Sequence, residues 1–122
     1  MDQADSASES CPVGRLADRT CVPCRGGVPP LKGPALRRLH EQVAGWELVE
    51  EHHLRRTFPF PDFARALAFV NRVGTVAEQE GHHPDIRLTW GKATIELFTH
   101  KIGGLSESDF IMAAKIDALP AT

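Results

Sequence analysis

Between residues 61 and 80 the apolar positions Phe63, Ala66, Leu67, Val70, Val73 and Ala77 recur at helical spacing. They predict a central helix from Pro61 to about Glu80, on the order of 30 Å long at 1.5 Å per residue. Gly81 is placed to end it, which delivers His82 and His83 just beyond its C-terminus. An earlier helix is expected to open near Pro34, which suits the first helical position, and to close at Gly45, with Leu36, Leu39 and Val43 as its apolar stripe. A last helix starts at Ser106, whose hydroxyl can cap it, and Asp109 can reach back to complete a capping-box-like pair. Leu105 and Phe110 are spaced for a hydrophobic staple across that start.

Elsewhere the pattern alternates. Ile86 to Thr99 reads as a β-hairpin with Gly91-Lys92 as a two-residue turn, glycine at the first central position suiting type II′. That register pairs Trp90 with Ala93, Leu88 with Ile95 and Ile86 with Leu97, all apolar. It also pairs Thr89 with Thr94 and Arg87 with Glu96 on the other side. Extended further, the ladder puts His83 opposite His100, with Cβ atoms roughly 5 Å apart, although Pro84 can break the pairing first. A second hairpin pairs Trp46–Glu50 with Leu54–Phe58 through Glu51-His52-His53, its register left open by the sequence. The expected fold is α+β, a four-stranded antiparallel sheet with three helices on one face, in the order α-β-β-α-β-β-α.

Residues 1–30 are rich in Ser, Asp, Gly and Pro, lack apolar periodicity, and read as a flexible arm ahead of a single domain at 31–122. With 122 residues, 42% hydrophobic and 25% charged, the chain fits one core and has no room for two. A net charge of -2 gives no electrostatic reason to expect a nucleic-acid partner. No apolar run approaches the roughly 20 residues of a membrane span, and Met1-Asp2-Gln3-Ala4-Asp5 lacks the basic start of a signal peptide, so a cytoplasmic location is expected. Cys11, Cys21 and Cys24 are odd in number and precede the expected domain, which argues against a disulfide scaffold. Cys21-Val22-Pro23-Cys24 is half of a zinc site at most, with only Cys11 and His40 nearby as further ligands; free thiols are the simpler reading.

Imidazole can accept and donate a proton near neutral pH, so His82, His83 and His100 around one concavity suit general acid–base work on a polar heterocycle. Two alternatives stay open: three imidazoles on zinc with a water in the fourth position, and histidines that simply occupy turns. Adjacency of His82 and His83 makes a tetrahedral site harder to arrange. His52-His53, in what reads as a solvated turn, shows that a histidine pair alone is no signal. Nucleophilic catalysis has little support, since there is no G-x-S-x-G elbow and the cysteines lie in the arm. Gly26-Gly27 and Gly103-Gly104 lack the pattern of a phosphate loop, and the second pair more simply lets the chain swing from strand to helix.

Glu80-Gly81-His82-His83-Pro84-Asp85, followed after one hairpin by Thr99-His100-Lys101-Ile102-Gly103-Gly104-Leu105-Ser106-Glu107-Ser108-Asp109, resembles the signature of the pterin-4a-carbinolamine dehydratase family. The resemblance extends through Gly45-Trp46 and Phe58-Pro59-Phe60-Pro61-Asp62-Phe63, covering about residues 31–119, and the Cys21-x-x-Cys24-x-Gly26-Gly27 segment is similar to the leader of some bacterial members. It implies dehydration of 4a-hydroxytetrahydrobiopterin to quinonoid dihydrobiopterin, without metal or organic cofactor, in recycling of tetrahydrobiopterin for an aromatic amino acid hydroxylase. It further implies His82 as principal base, His100 as acid and His83 as the ring that orients the hydroxyl. Pro84 and the Thr99–Ile102 backbone, including Lys101, would line the pterin site, and Asp109 matches a family position near it. A homodimer or homotetramer is implied, and so is an alternative: a non-catalytic dimerisation partner of a transcription factor, or a role in molybdopterin metabolism. Two departures stand out, Ile86 where many members carry an aromatic residue and Gly81 where a polar one is common.

Overall fold

The computed structural model describes residues 16–21 and 29–120. Its elements follow the expected order: α1 (Gly33–Glu41), β1 (Glu47–Val49), β2 (His53–Pro59), α2 (Phe63–Glu80), β3 (Asp85–Thr89), β4 (Lys92–Leu97) and α3 (Glu107–Asp117). All neighbours in the sheet are antiparallel, in the order β1-β2-β4-β3. Strand alternation separates its faces. Leu54, Ala93, Ile95 and Leu97 are buried with Ala66, Phe69, Val73 and Ala77 of α2 and with Phe110, Ile111, Ala113 and Ile116 of α3. Arg55, Thr57, Thr94 and Glu96 point the other way, where Arg55 pairs with Glu47 and Glu96 and the two threonine hydroxyls meet at 3.1 Å.

Helix α2 carries its own start and stop. The Asp62 carboxylate accepts from the Arg65 amide at 2.8 Å, and Gly81 at φ 67° leaves the helix in the left-handed region. The His82 amide then donates to the Ala77 carbonyl at 3.2 Å, the six-residue closure of a Schellman motif. Its core stripe is narrower than expected, since Phe63 and Leu67 stand 43% and 40% exposed. Helix α1 stops at Glu41, four residues before Gly45, and Gly45 serves a different purpose. A Cβ there would lie 2.6 Å from the Arg56 guanidinium, which reaches across to Asp117.

Hairpin β3–β4 departs from the expected register by two positions. Its turn is Trp90-Gly91 and its pairs are Thr89 with Lys92, Leu88 with Ala93, Ile86 with Ile95 and Asp85 with Glu96. Neither turn residue has positive φ, so no type II′ geometry exploits Gly91. Because the slip is even, each side chain keeps its face and changes only its partner. The β3–β4 ladder ends at Asp85 and Glu96, so it never brings His83 opposite His100. In hairpin β1–β2 the turn is Glu50-Glu51-His52 and His53 opens β2. Glu50 and Glu51 both have positive φ, 55° and 56°, and the His52 amide donates to the Val49 carbonyl at 2.8 Å. This is a type I′ turn built without glycine or asparagine.

Part of the segment expected as a flexible arm is packed. Leu16 and Cys21 are buried in the core, and Leu16–Asp18 form one 3-10 turn against α3. The Cys21 thiol donates to the Ser108 carbonyl, and burial together with the Glu80 carboxylate pushes its pKa up to about 11. Cys11 and Cys24 lie outside the described residues, and among the described residues there is no group of three metal-ligating side chains.

Candidate active site

Three chain segments converge on Asp109. It sits in the first turn of α3, 0% exposed, a position where a carboxylate survives only if its lone pairs are satisfied. One oxygen, Oδ2, accepts from the Ser106 amide at 2.9 Å and from the Thr99 hydroxyl at 2.8 Å. The other, Oδ1, lies 2.6 Å from His82 Nε2. Asp109 therefore closes the capping box with one oxygen and holds a histidine with the other. The sequence offered these as competing roles, and the geometry lets one side chain fill both.

With Nε2 committed to the carboxylate as donor, the ring presents Nδ1 as its free basic nitrogen. Orienting an imidazole by a buried carboxylate fixes both its tautomer and its direction. Helix α2 supplies the ring, since the left-handed Gly81 turns the chain so that His82 meets α3 directly; its side chain is 14% exposed.

Of the other expected residues, Thr99 bonds to Asp109, while the contacts of His83 and His100 lie with Glu78 and Phe98. His83 is exposed and bonds back to Glu78 at 2.5 Å, both side chains facing solvent. His100 opens a 3-10 turn, His100–Ile102, and its ring centre lies 4.2 Å from that of Phe98. Lys101 in that turn is exposed and Ile102 half-buried, as is Pro84 ahead of β3. Thr99 differs from expectation, because its groups are engaged within the fold instead of offered outward. Its hydroxyl serves Asp109 and meets Ser106 Oγ at 2.8 Å, while its amide donates to the Gly104 carbonyl. Gly103, at φ 63°, makes the reversal that brings Gly104 back against Thr99. A hollow of about 320 Å³ on the outer sheet face is lined by Arg55, Asp85, Ile86, Arg87, Thr94 and Glu96, and by none of the three histidines.

Two sets of neighbours take parts that the sequence did not assign to them. His52 and His53 are half-buried and packed, not solvated: their Nδ1 atoms are 3.1 Å apart and both rings flank Phe98, His52 at 4.9 Å and His53 at 6.4 Å between centres. Phe98 is thus a neighbour of this pair and of His100 alike. His53 Nε2 is buried without a hydrogen-bond partner and faces Glu96 at 3.8 Å. The second is Glu80, the last residue of α2, whose carboxylate accepts from the Cys21 amide at 2.9 Å and meets Lys115 at 3.6 Å. These contacts hold its carboxyl below the usual carboxylate range, the Cys21 amide most strongly.

Comparison with known proteins bears on the same residues. The family profile described as "Pterin 4 alpha carbinolamine dehydratase" matches residues 29–119. A Rubrobacter xylanophilus protein carrying the pterin-4-alpha-carbinolamine dehydratase name is 62% identical over 107 residues, 88% of this chain and all of that one. Among solved structures, a transcriptional coactivator/pterin dehydratase from Brucella melitensis superposes with a TM-score of 0.68 at 29% identity, covering 73% of this chain and 96% of that one. A pterin dehydratase-like protein identified as a RuBisCO assembly factor of the alpha-carboxysome gives a TM-score of 0.52 at 25% identity, covering 61% and 87%.

Proposed function

The chain belongs to the pterin-4-alpha-carbinolamine dehydratase family, and from that premise we propose that it converts a pterin-4a-carbinolamine to the quinonoid dihydropterin and water by histidine acid–base catalysis. The observation that carries this reading is the 2.6 Å bond between His82 and the buried Asp109. The reaction removes the N5 proton, forms the double bond between N5 and C4a, and expels the 4a-hydroxyl as water. His82 Nδ1 takes the proton, with Asp109 stabilising the imidazolium that forms. His100 gives a proton to the departing hydroxyl. His83, held at the surface by its contact with Glu78, orients that hydroxyl. Pro84, Lys101 and Ile102 border the bound heterocycle. Thr99 supports the site from behind through Asp109.

In this reading the protein recycles tetrahydrobiopterin for an aromatic amino acid hydroxylase in the cytoplasm. It works as a homo-oligomer, for which the exposed Phe63 and Leu67 on α2 and Trp90 at the β3–β4 turn provide apolar surface. A second reading, a protein-binding module, is favoured by the names of the two structural neighbours, a coactivator and an assembly factor. A crystal structure with dihydrobiopterin decides between them at the site. The catalytic reading expects N5 within hydrogen-bond reach of His82, and a pterin bound elsewhere, or none bound, contradicts it.

A further inference from the structure

Ahead of residue 29, where the family profile match begins, the chain contributes one described segment, residues 16–21, and its contacts run along α3 and to the end of α2. Leu16 is 3% exposed and Cys21 7%. Arg19 reaches Glu107 at 2.6 Å, the first residue of α3. The Ala17 carbonyl accepts from Lys115 Nζ at 2.9 Å. The Cys21 amide donates to Glu80 at 2.9 Å and its thiol to the Ser108 carbonyl. Glu80 is the last residue of α2, two before His82; Ser108 directly precedes Asp109. The segment therefore ties the end of α2, two residues before His82, to the first turn of α3, which carries Asp109.

We infer that residues 16–21 form a strap that sets the spacing of His82 and Asp109, with Glu80 as a positioning residue. Glu80 joins the strap to α2 through one carboxylate oxygen and α2 to α3 through the other, by way of Lys115. The 2.6 Å bond between His82 and Asp109 needs the end of α2 and the start of α3 held in place, and a shift of about 1 Å at a reacting group can cost on the order of a hundredfold in rate. The Cys21 thiol, kept neutral by its raised pKa, suits a packing role in which a charged sulfur would be expelled. This inference rests on the reading that His82 is the working ring, and it extends that reading to residues that touch no substrate.

The test uses full-length protein carrying Leu16→Ala, Glu80→Ala or Glu80→Gln, with two readouts. Long-range proton–nitrogen NMR of the His82 ring reports its tautomer and its bond to Asp109 without any substrate. Steady-state dehydration of the pterin carbinolamine reports kcat and KM separately. Leu16→Ala and Glu80→Ala should broaden or lose the bonded Nε2 proton and lower kcat roughly tenfold with KM little changed, toward the limit set by misplacement. Glu80→Gln keeps an oxygen for the Cys21 amide and should restore most of both signals. An unperturbed His82 ring in both alanine variants overturns the strap, whatever the activity. Should Leu16→Ala not fold, Glu80→Ala carries the test alone with the same two outcomes. A ring that responds as expected in a protein with no dehydration sinks the dehydratase reading and leaves the strap standing.

Discussion

At the scale of single residues the account turns on Asp109, because its two oxygens have separable duties. Replacing it with alanine takes the acceptor from the half-buried Ser106 amide and one of two partners from the buried Thr99 hydroxyl. Each such loss costs about 1–3 kcal/mol, so Asp109→Ala should lower the midpoint of thermal unfolding by several degrees, measurable by calorimetry. Asp109→Asn is the sharper probe. Its amide can face Ser106 or His82 with an oxygen, but not both. It should therefore lower kcat more than it raises KM and shift the pH–rate profile, whereas a change in KM alone would argue that Asp109 only shapes the binding site. Thr99→Val removes one donor to the same carboxylate and should weaken stability by about 1 kcal/mol, checked by urea unfolding.

At the scale of elements, the tightest constraint is the type I′ turn at Glu50-Glu51. Two non-glycine residues in the left-handed region cost roughly 1–2 kcal/mol each. Replacing the pair by Asn-Gly should raise stability by about 1 kcal/mol or more without changing the hairpin, and thermal unfolding that stayed the same or fell would count against the strain. Much of the element layout was legible in the sequence because its signals are local: the Asp62 start and Gly81 end of α2, and the box from Ser106 to Asp109 at α3. The β3–β4 register was not. A turn at Trp90-Gly91 and one at Gly91-Lys92 place the same side chains on the same faces, so the apolar pattern could not choose between them. The end of α1 was misplaced because Gly45 is required by the closeness of Arg56, a residue eleven positions away, and not by a helix cap. Likewise His82 and Asp109 meet across 27 residues, a contact that no local pattern encodes. The strap was invisible for the same reason, since Leu16 and Cys21 are isolated apolar residues in a polar stretch and show no period.

Over the whole molecule, acid weakens the fold through Glu80. Its carboxyl titrates below its ordinary value of 4.5, so the folded state binds that proton less readily than the unfolded chain does. The stability it contributes is complete above pH 4.5 and declines as pH falls through the depressed pKa. Asp117 runs the other way: burial raises its pKa against the opposing pull of Trp46 and Arg56, so its contribution is present at low pH and fades as pH rises through that value. The two signs predict that Glu80→Gln flattens the acid limb of a stability–pH curve, and an unchanged limb in that variant would show that the Glu80 contacts are not what acid breaks.

Everything proposed for the site requires that His82, held by Asp109, performs proton transfer on a pterin carbinolamine. The most direct measurement is the rate of decay of 4a-hydroxytetrahydrobiopterin with wild-type protein, with His82→Ala and in buffer alone. The wild type should accelerate the decay clearly, and His82→Ala should lose roughly 10² to 10⁴ fold, the range for one well-placed acid–base group. Equal rates for wild type and His82→Ala, whether both match buffer or both exceed it, would contradict that role.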